Sequence, residues 1–213
     1  HFGDTHERAV EYAVEMEQFD ESDVLLARLQ RGELSEDHIV EVARAMVDMH
    51  QRALTNETIA CNGSVEAVRR AAQENLDGVR PFIDATENAE RFDAAQRFEL
   101  DWITRQAELI GRRAREGRVR ECHGDLHFNN MCIHNGRIEF FDCIDFNEDF
   151  RNIDVMYELA FALMDLEYRG APALANAMMN SYLETSGDYE GALLLPLYKH
   201  MRAYVRGKVA SIL

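Results

Sequence analysis

Apolar residues recur at intervals of three and four through most of the chain, which predicts a largely helical protein. Ser35 and Ser64 each precede such a segment and are favoured N-cap residues. We therefore predict helices from Ser35 to about Ala53 and from Ser64 to near Gly78. The same periodicity predicts further helices at about 20–32, 87–116, 152–168, 172–185 and 188–212.

Three parts of the chain have the pattern of β-structure instead. Residues 9–19 alternate partly and contain β-forming side chains, which predicts a strand that leads into a connector. Residues 119–122 are a second, short candidate. The runs 131–134 and 137–141 flank Asn135-Gly136, the dipeptide most typical of a tight hairpin. We predict an α+β fold that is mostly helical and contains one embedded β-hairpin.

Composition and charge narrow the classes of function. Acidic residues outnumber basic ones by 39 to 23, whereas nucleic-acid binding usually needs a basic face, so we expect no nucleic-acid partner. No apolar run is long enough to span a membrane, and the first residues have no features of a secretory signal. The four cysteines form no C-x-x-C pair. We expect a cytoplasmic protein in which Cys122, Cys132 and Cys143 are small buried thiols.

The residues that carry chemistry surround the predicted hairpin. Phosphoryl transfer needs a carboxylate that orients the attacking hydroxyl, and hard oxygen ligands that hold magnesium against the nucleotide phosphates. Asp125 follows the strand candidate 119–122, Asn130 lies five residues later, and Asp142 ends the hairpin. The hairpin is expected to bring Asp142 back beside the loop, so that all three side chains share one site.

The run His123-Gly124-Asp125-Leu126-His127-x-x-Asn130 resembles the catalytic loop of the aminoglycoside phosphotransferase and choline kinase-like superfamily, which shares the protein-kinase fold. Residues 141–147, with 151–154 and 159–166, are similar to a less characterised bacterial branch of that superfamily. Some members of the branch are fused to a P-loop kinase domain, so such a domain is a candidate fused or separate partner. The resemblance covers the chain from about residue 9 onward.

The resemblance implies that residues 21–213 are the large C-terminal lobe of a kinase-like fold and that residues 1–20 are a remnant of the small lobe and hinge. The small lobe should supply a strand lysine for the nucleotide phosphates. The two lysines, Lys199 and Lys208, both fall in the last predicted helix, and no G-x-G-x-x-G occurs. We therefore expect that most of the small lobe is missing.

The resemblance also implies the roles of the site residues. Asp125 is expected to be the catalytic base or the carboxylate that orients the substrate, and Asn130 and Asp142 are expected to bind Mg²⁺. Asp145 is either a third carboxylate for a second metal or a loop-capping residue, and Asp142 is the preferred primary ligand. His127 is a candidate contact for the phosphates of ATP or for the backbone of Asp125.

Five other positions have supporting roles by the same resemblance. His123 is expected to pack and hydrogen-bond so as to hold the loop, and Asp154 to support the loop from behind. Met16, Glu17 and Gln18 lie where the superfamily has its hinge, whose backbone would hold the adenine. An ordinary edge strand is an equally good interpretation of this segment.

Several polar residues have plainer interpretations. His50 lies on the apolar face of its helix and is expected to be a core histidine with satisfied hydrogen bonds. Asp165, Glu167, Glu184 and Asp188 are candidates for binding a cationic substrate, although a solvated surface is the favoured interpretation of each.

The function predicted from these features is ATP- and magnesium-dependent phosphoryl transfer to a hydroxyl of a small molecule, with an aminoglycoside or an amino sugar as candidate acceptors. One alternative is a non-catalytic nucleotide-binding or regulatory module, which the intact Asp125, Asn130 and Asp142 disfavour and the missing lysine favours. Another is nucleotidyl transfer on the same fold. The acceptor and the oligomeric state are not indicated by the sequence.

Overall fold

The computed structural model describes residues 18–83 and 88–212. Within these ranges the helices are α1 Leu25–Gln30, α2 Glu36–Arg52, α3 Glu57–Cys61, α4 Val65–Val79, α5 Ala89–Arg105, α6 Ala107–Arg115, α7 Val155–Tyr168, α8 Pro172–Ser186 and α9 Leu195–Ile212. The strands are β1 Val119–Glu121, β2 Met131–His134, β3 Arg137–Phe140 and β4 Asn152–Asp154. The expectation of a mostly helical α+β fold with an embedded hairpin is confirmed. Most of the strand predicted at 9–19 and most of the small-lobe remnant proposed at 1–20 lie outside the described residues.

Helix α7 is the centre of the core. It packs against α8 and α9, while α2 packs on α8 and α4 packs on α9. Ten of the fourteen residues of α7 are buried, including Leu159, Phe161 and Leu163, because neighbours cover the helix on several sides. Burying each such side chain contributes about 1.5–3 kcal/mol. None of the helices in the described ranges combines the length and the apolar character needed to cross a membrane.

The predicted N-caps explain where two helices begin. The Ser35 hydroxyl accepts a hydrogen bond from the backbone N–H of His38 at 3.3 Å. In return, Nδ1 of the His38 side chain accepts a hydrogen bond from the backbone N–H of Ser35. The Ser64 hydroxyl accepts from the N–H of Ala67 at 3.2 Å. Each bond satisfies an N–H that would otherwise lack a partner in the first turn. The two helices predicted from these serines are confirmed.

The hairpin is also confirmed. β2 and β3 pair antiparallel, with Met131 opposite Phe140. The turn residues Asn135 and Gly136 both have positive φ, 49° and 72°, as a two-residue turn matched to the twist of the strands requires. A second ladder, β1 with β4, places Val119 opposite Asp154. The sequence pattern did not predict this pair, because the three residues of β4 run directly into α7 and resemble its first turn.

Four predicted helices differ from the observed ones. The helix predicted at 20–32 consists of a 3-10 turn at Glu21–Asp23 and the short α1, and the helix predicted at 152–168 begins only after β4. The helix predicted at 87–116 is divided into α5 and α6 at Gln106, whose φ and ψ of −101° and 12° leave the helical region. A break at one residue preserves the apolar periodicity, so the pattern cannot reveal it. The helix predicted at 188–212 begins at Leu195, because Gly191 lies in a 3-10 turn packed against Arg113 and Met156.

Cys143 is exposed rather than buried, because it lies in the segment after β3.

Candidate active site

The loop that carries Asp125 is anchored at both ends by strands. It leaves β1, where the Cys122 N–H donates to the Arg151 carbonyl at 2.8 Å, and it enters β2 through a 3-10 turn at Phe128–Asn130. Leu126 and Phe128 are completely buried. Leu126 and Phe128 therefore fix the loop to the core, and the side chain of Asp125, just before them, remains 37% exposed.

Gly124 is the residue that allows the loop to approach its neighbours. Its φ is +88°, and a Cβ at this position would lie 2.8 Å from the Phe150 carbonyl oxygen and 3.2 Å from the Ile144 side chain. An L side chain would be strained at this φ and would also collide with the backbone. The glycine thus allows the segment after β3 to pack directly against the catalytic loop.

Asp125 is held in its ionised form. Its Oδ2 lies 3.2 Å from Asn130 Nδ2 and 3.5 Å from His127 Nε2. Burial alone would raise the pKa of this carboxyl, but the hydrogen bond and charge of His127 and the positive charges of Arg202 and Arg206 lower the pKa below its ordinary value. An ionised, partly exposed carboxylate at this point can accept a proton from a bound hydroxyl.

The side chains of Asn130 and Asp142 offer oxygen atoms that fit a magnesium ion. Asn130 Nδ2 donates to the backbone oxygen of Asp125 at 3.0 Å as well as to its carboxylate, which leaves the amide Oδ1 as a free ligand atom. The Phe141 N–H donates to the Asn130 carbonyl at 3.1 Å, so the next residue, Asp142, lies beside Asn130. Asp142 is exposed, with a φ of 61°. Amide and carboxylate oxygens are the hard ligands that Mg²⁺ requires.

The carboxylate oxygens of Asp125, Asp142 and Asp145 do not all lie within 4.8 Å of one another. In the described ranges, one group of three acidic, histidine or cysteine side chains has ligand atoms within 4.8 Å of one another, and it consists of His50, Cys122 and Glu158. Asp145 is exposed on the segment that follows β3. Its role as a second metal ligand or as a loop residue stays a prediction.

Glu158, on α7, holds the catalytic loop and was missed by the sequence analysis. Its fully buried carboxylate accepts hydrogen bonds from the N–H groups of His123 and Gly124, at 3.1 and 2.5 Å, and pairs with His50 Nε2 at 3.0 Å. Burial would raise the pKa of Glu158, but the His50 hydrogen bond and charge lower it overall. His50 itself bonds Tyr182 at 2.8 Å, so the prediction of a satisfied core histidine is confirmed. A glutamate within the apolar run of residues 155–164 was the available clue.

The two loop histidines, His123 and His127, lie two residues before and two residues after Asp125 in the sequence. His123 Nε2 bonds the Phe141 carbonyl at 2.8 Å, so its Nδ1 is free to accept from the Asp125 N–H at 3.4 Å. His127 Nδ1 accepts from the Asn129 N–H at 3.3 Å, which turns Nε2 toward the Asp125 carboxylate. Both rings therefore connect parts of the loop, and His123 also connects the loop to Phe141, the residue after β3. We propose that His123 positions the loop, as its sequence context suggested.

Asp154 lies further from the loop than its predicted role implies. It caps α7 by accepting from the Met156 N–H at 2.8 Å, and it binds Arg113 through two hydrogen bonds of 2.7 and 2.8 Å. Arg113 also bonds Asp188 at 2.7 Å. This buried triad fixes the start of α7, and α7 in turn presents Glu158 to the loop. Any support that Asp154 gives to the loop is thus indirect.

The four acidic positions considered for a cationic substrate have different surroundings. Asp165 and Asp188 are buried, so a solvated surface is the wrong interpretation of both. Asp165 accepts from the Phe128 N–H and from Arg169, and Asp188 pairs with Arg113. They are buried because each satisfies fixed internal donors.

Glu167 and Glu184 are exposed, as expected, and Glu167 pairs with Lys199 at 2.7 Å. Of the candidate hinge residues, Gln18 is exposed, whereas Met16 and Glu17 lie outside the described residues.

The buried triad predicts how stability responds to acid. Burial would raise the pKa of Asp188, but hydrogen bonds and charge from Arg113 lower it overall. A carboxyl with a lowered folded-state pKa stabilises the fold above its ordinary pKa of 3.8, and this contribution is lost as the pH falls through the folded-state value. Urea unfolding measured from about pH 6 to pH 2 should therefore depend less steeply on pH in Asp188→Asn than in wild type. The exposed variant Glu184→Gln is the control, and an unchanged slope in Asp188→Asn would refute the assignment.

Comparison with known families agrees with this geometry. The sequence profile of the Phosphotransferase enzyme family matches residues 7–195. The chain belongs to that family. Uncharacterized proteins of Mycobacterium tuberculosis and Mycobacterium bovis are 28% identical to this protein over 212 residues, which is 100% of this chain and 43% of theirs. The chain thus spans less than half the length of the curated relatives that it matches.

Solved structures share the fold of this chain. Two crystal forms of a glucosamine kinase superpose with TM-scores of 0.52 and 0.55 at 19% and 18% identity. The match covers 89% and 90% of this chain, and 53% and 56% of the kinase chain. The expectation of a mostly helical, kinase-like fold is confirmed.

Proposed function

We propose that this protein transfers the terminal phosphoryl group of ATP to a hydroxyl of a small molecule, with an amino sugar as the first candidate acceptor. The observation that supports the proposal is the contact between Asp125 and Asn130, with Asp142 following Phe141 at the end of the hairpin. Asn130 contacts Asp125 directly through its amide N–H, and its backbone bond to Phe141 places it beside Asp142.

The Asp125 carboxylate is the group that acts on the acceptor. Because it is ionised, it can accept a hydrogen bond from the attacking hydroxyl, orient the oxygen toward the phosphate, and take the proton as the new bond forms. Asn130 and Asp142 would hold magnesium, which when bound neutralises charge on the nucleotide phosphates. The remaining loop residues keep the carboxylate in place, since catalysis of this kind depends mainly on position and charge.

An amino sugar is supported as the acceptor by the glucosamine kinase structures that share the fold. The test is incubation of the gene-encoded protein with magnesium, ATP and a panel of hydroxylated acceptors that begins with glucosamine. ADP formation and the mass of the product are the measurements. A phosphorylated amino sugar supports the proposal. ADP formation with other hydroxylated acceptors alone would keep the phosphotransferase but reject the amino sugar.

The metal assignment predicts that Asn130→Ala and Asp142→Ala weaken magnesium-dependent ATP binding by roughly tenfold or more, about 1.4 kcal/mol, because each removes a hard oxygen ligand. Isothermal titration calorimetry with and without magnesium measures this. Asn129→Ala removes a neighbouring exposed amide and should bind normally. Normal binding by both site variants would refute the assignment, and a loss in Asp145→Ala without one in Asp142→Ala would make Asp145 the primary ligand.

A further inference from the structure

Arg202, on α9, contacts the catalytic loop from the side opposite Glu158. It is 5% exposed. Its Nη1 donates to the Gly124 carbonyl at 3.1 Å, and its Nε donates to the Tyr157 carbonyl at 3.2 Å. Gly124 and Arg202 are 78 residues apart in sequence. The guanidinium therefore connects the loop to the first turn of α7 through two backbone oxygens.

Aromatic rings hold the guanidinium in this position. Its central carbon lies 3.8 Å from the ring centre of Tyr157 and 4.7 Å from that of Phe161, both within the range of cation–π attraction. Phe161 in turn contacts the ring of His127 at 5.4 Å. One nitrogen of Arg202, Nη2, is buried and has no hydrogen-bond partner among the described residues. Burying a charged group with an unpaired donor costs free energy, so a contribution to stability alone does not explain Arg202.

The conformation of the backbone at Gly124 depends on the contacts that surround it. A glycine at positive φ has a wide choice of conformations, and the peptide that follows it carries Asp125. Glu158 accepts hydrogen bonds from the N–H groups of His123 and Gly124, and Arg202 donates a hydrogen bond to the Gly124 carbonyl. Two buried ionised side chains from α7 and α9 thus determine the orientation of the peptide that leads into Asp125.

We propose that Arg202 is a positioning residue, which fixes the Gly124–Asp125 peptide and thereby aims the Asp125 carboxylate at the acceptor hydroxyl. Its effect on turnover rests on the proposed phosphotransfer, whereas its effect on the loop does not. The positive charge of Arg202 also contributes to the lowered pKa of Asp125. Arg202 thus acts on Asp125 through hydrogen-bond geometry and through charge. Arg202→Lys changes the geometry and keeps the charge, whereas Arg202→Met removes both.

The loop can be tested without any acceptor. Hydrogen–deuterium exchange followed by mass spectrometry should show faster exchange of the amides of residues 123–127 in Arg202→Met than in wild type. Lys199→Met, which removes a positive charge from the same helix without contact to the loop, should leave these amides unchanged. Equal protection in Arg202→Met and wild type would overturn the proposal. A global loss of protection would indicate unfolding, and the milder Arg202→Lys then decides by the same criterion.

Kinetics separate position from charge once an acceptor is found. Arg202→Lys keeps the charge but cannot donate to both carbonyls in the same geometry, so kcat should fall about ten- to a hundredfold while the KM for ATP changes less than about twofold. Arg202→Met should lose at least as much. A kcat near the wild-type value in both variants would overturn the proposal. Failure of the wild-type protein to phosphorylate any acceptor would refute the proposed function, and hydrogen exchange would still decide the role of Arg202 in the loop.

Discussion

Asp125→Asn should lower kcat by about a hundredfold or more, because a positioned base contributes about 10²–10⁴-fold to a rate. Asparagine keeps the size of the side chain and can still bond Asn130, but it cannot take the proton of the acceptor hydroxyl. The fold should be unaffected, since the Asp125 side chain is partly exposed and its contacts lie within the loop. The measurement is steady-state turnover with saturating magnesium and ATP, together with thermal unfolding of both proteins.

Asp149→Asn is a matched control for this experiment. Asp149 is exposed in the 3-10 turn after β3, near the loop, and its carboxylate bonds Asn62 at 3.1 Å rather than any loop residue. The same chemical change at this position should leave kcat within about twofold of wild type, as is usual for surface sites. If Asp125→Asn turns over as fast as Asp149→Asn, Asp125 is not the base.

Arg113→Met should destabilise the protein by about 3–5 kcal/mol, because it leaves two buried carboxylates without their partner. Arg113 is 2% exposed and makes four hydrogen bonds of 2.7 to 2.9 Å to Asp154 and Asp188. Although burial disfavours its charged form, these two carboxylates raise the pKa of Arg113 overall, so the guanidinium stays charged. Its loss also weakens the cap of α7, which Asp154 provides. Urea unfolding at neutral pH measures the change in free energy.

The neighbouring Arg112 provides the control. It pairs with Glu190, but 37% of its side chain and 57% of that of Glu190 are exposed. Exposed ion pairs contribute about 0–1 kcal/mol, so Arg112→Met should have little effect. Equal losses of stability in the two variants would contradict the distinction between the buried and the exposed pair.

The parts of the fold that could be predicted from the sequence have local causes. The hairpin follows from the positive φ that Asn135 and Gly136 adopt readily, and the helix starts at Ser35 and Ser64 follow from side chains that bond the next turn. The proximity of Asp125, Asn130 and Asp142 was predictable because they are closely spaced along one loop and one hairpin, while their roles stay predictions. Each of these features depends on contacts among neighbours in sequence.

The residues that hold the loop depend on distant contacts instead. Glu158 and Arg202 reach Gly124 across 34 and 78 residues, and Arg113 meets Asp188 across 75. A charged residue in a helical pattern normally indicates the solvated face, so their burial cannot be read from periodicity. Asp165 and Asp188 were misjudged for the same reason. Such positions become evident only when the packing of α7, α8 and α9 is known.

The most direct test of the central claim is transfer of label from ATP that carries it on the α- or on the γ-phosphate. The gene-encoded protein is incubated with magnesium, glucosamine or another acceptor, and each form of labelled ATP. We predict that the γ-label appears in the acceptor, that the α-label does not, and that Asp125→Asn slows the transfer by about a hundredfold or more. Transfer of the α-label would mean nucleotidyl transfer, and transfer of neither label to any acceptor would contradict the assignment of this site as catalytic.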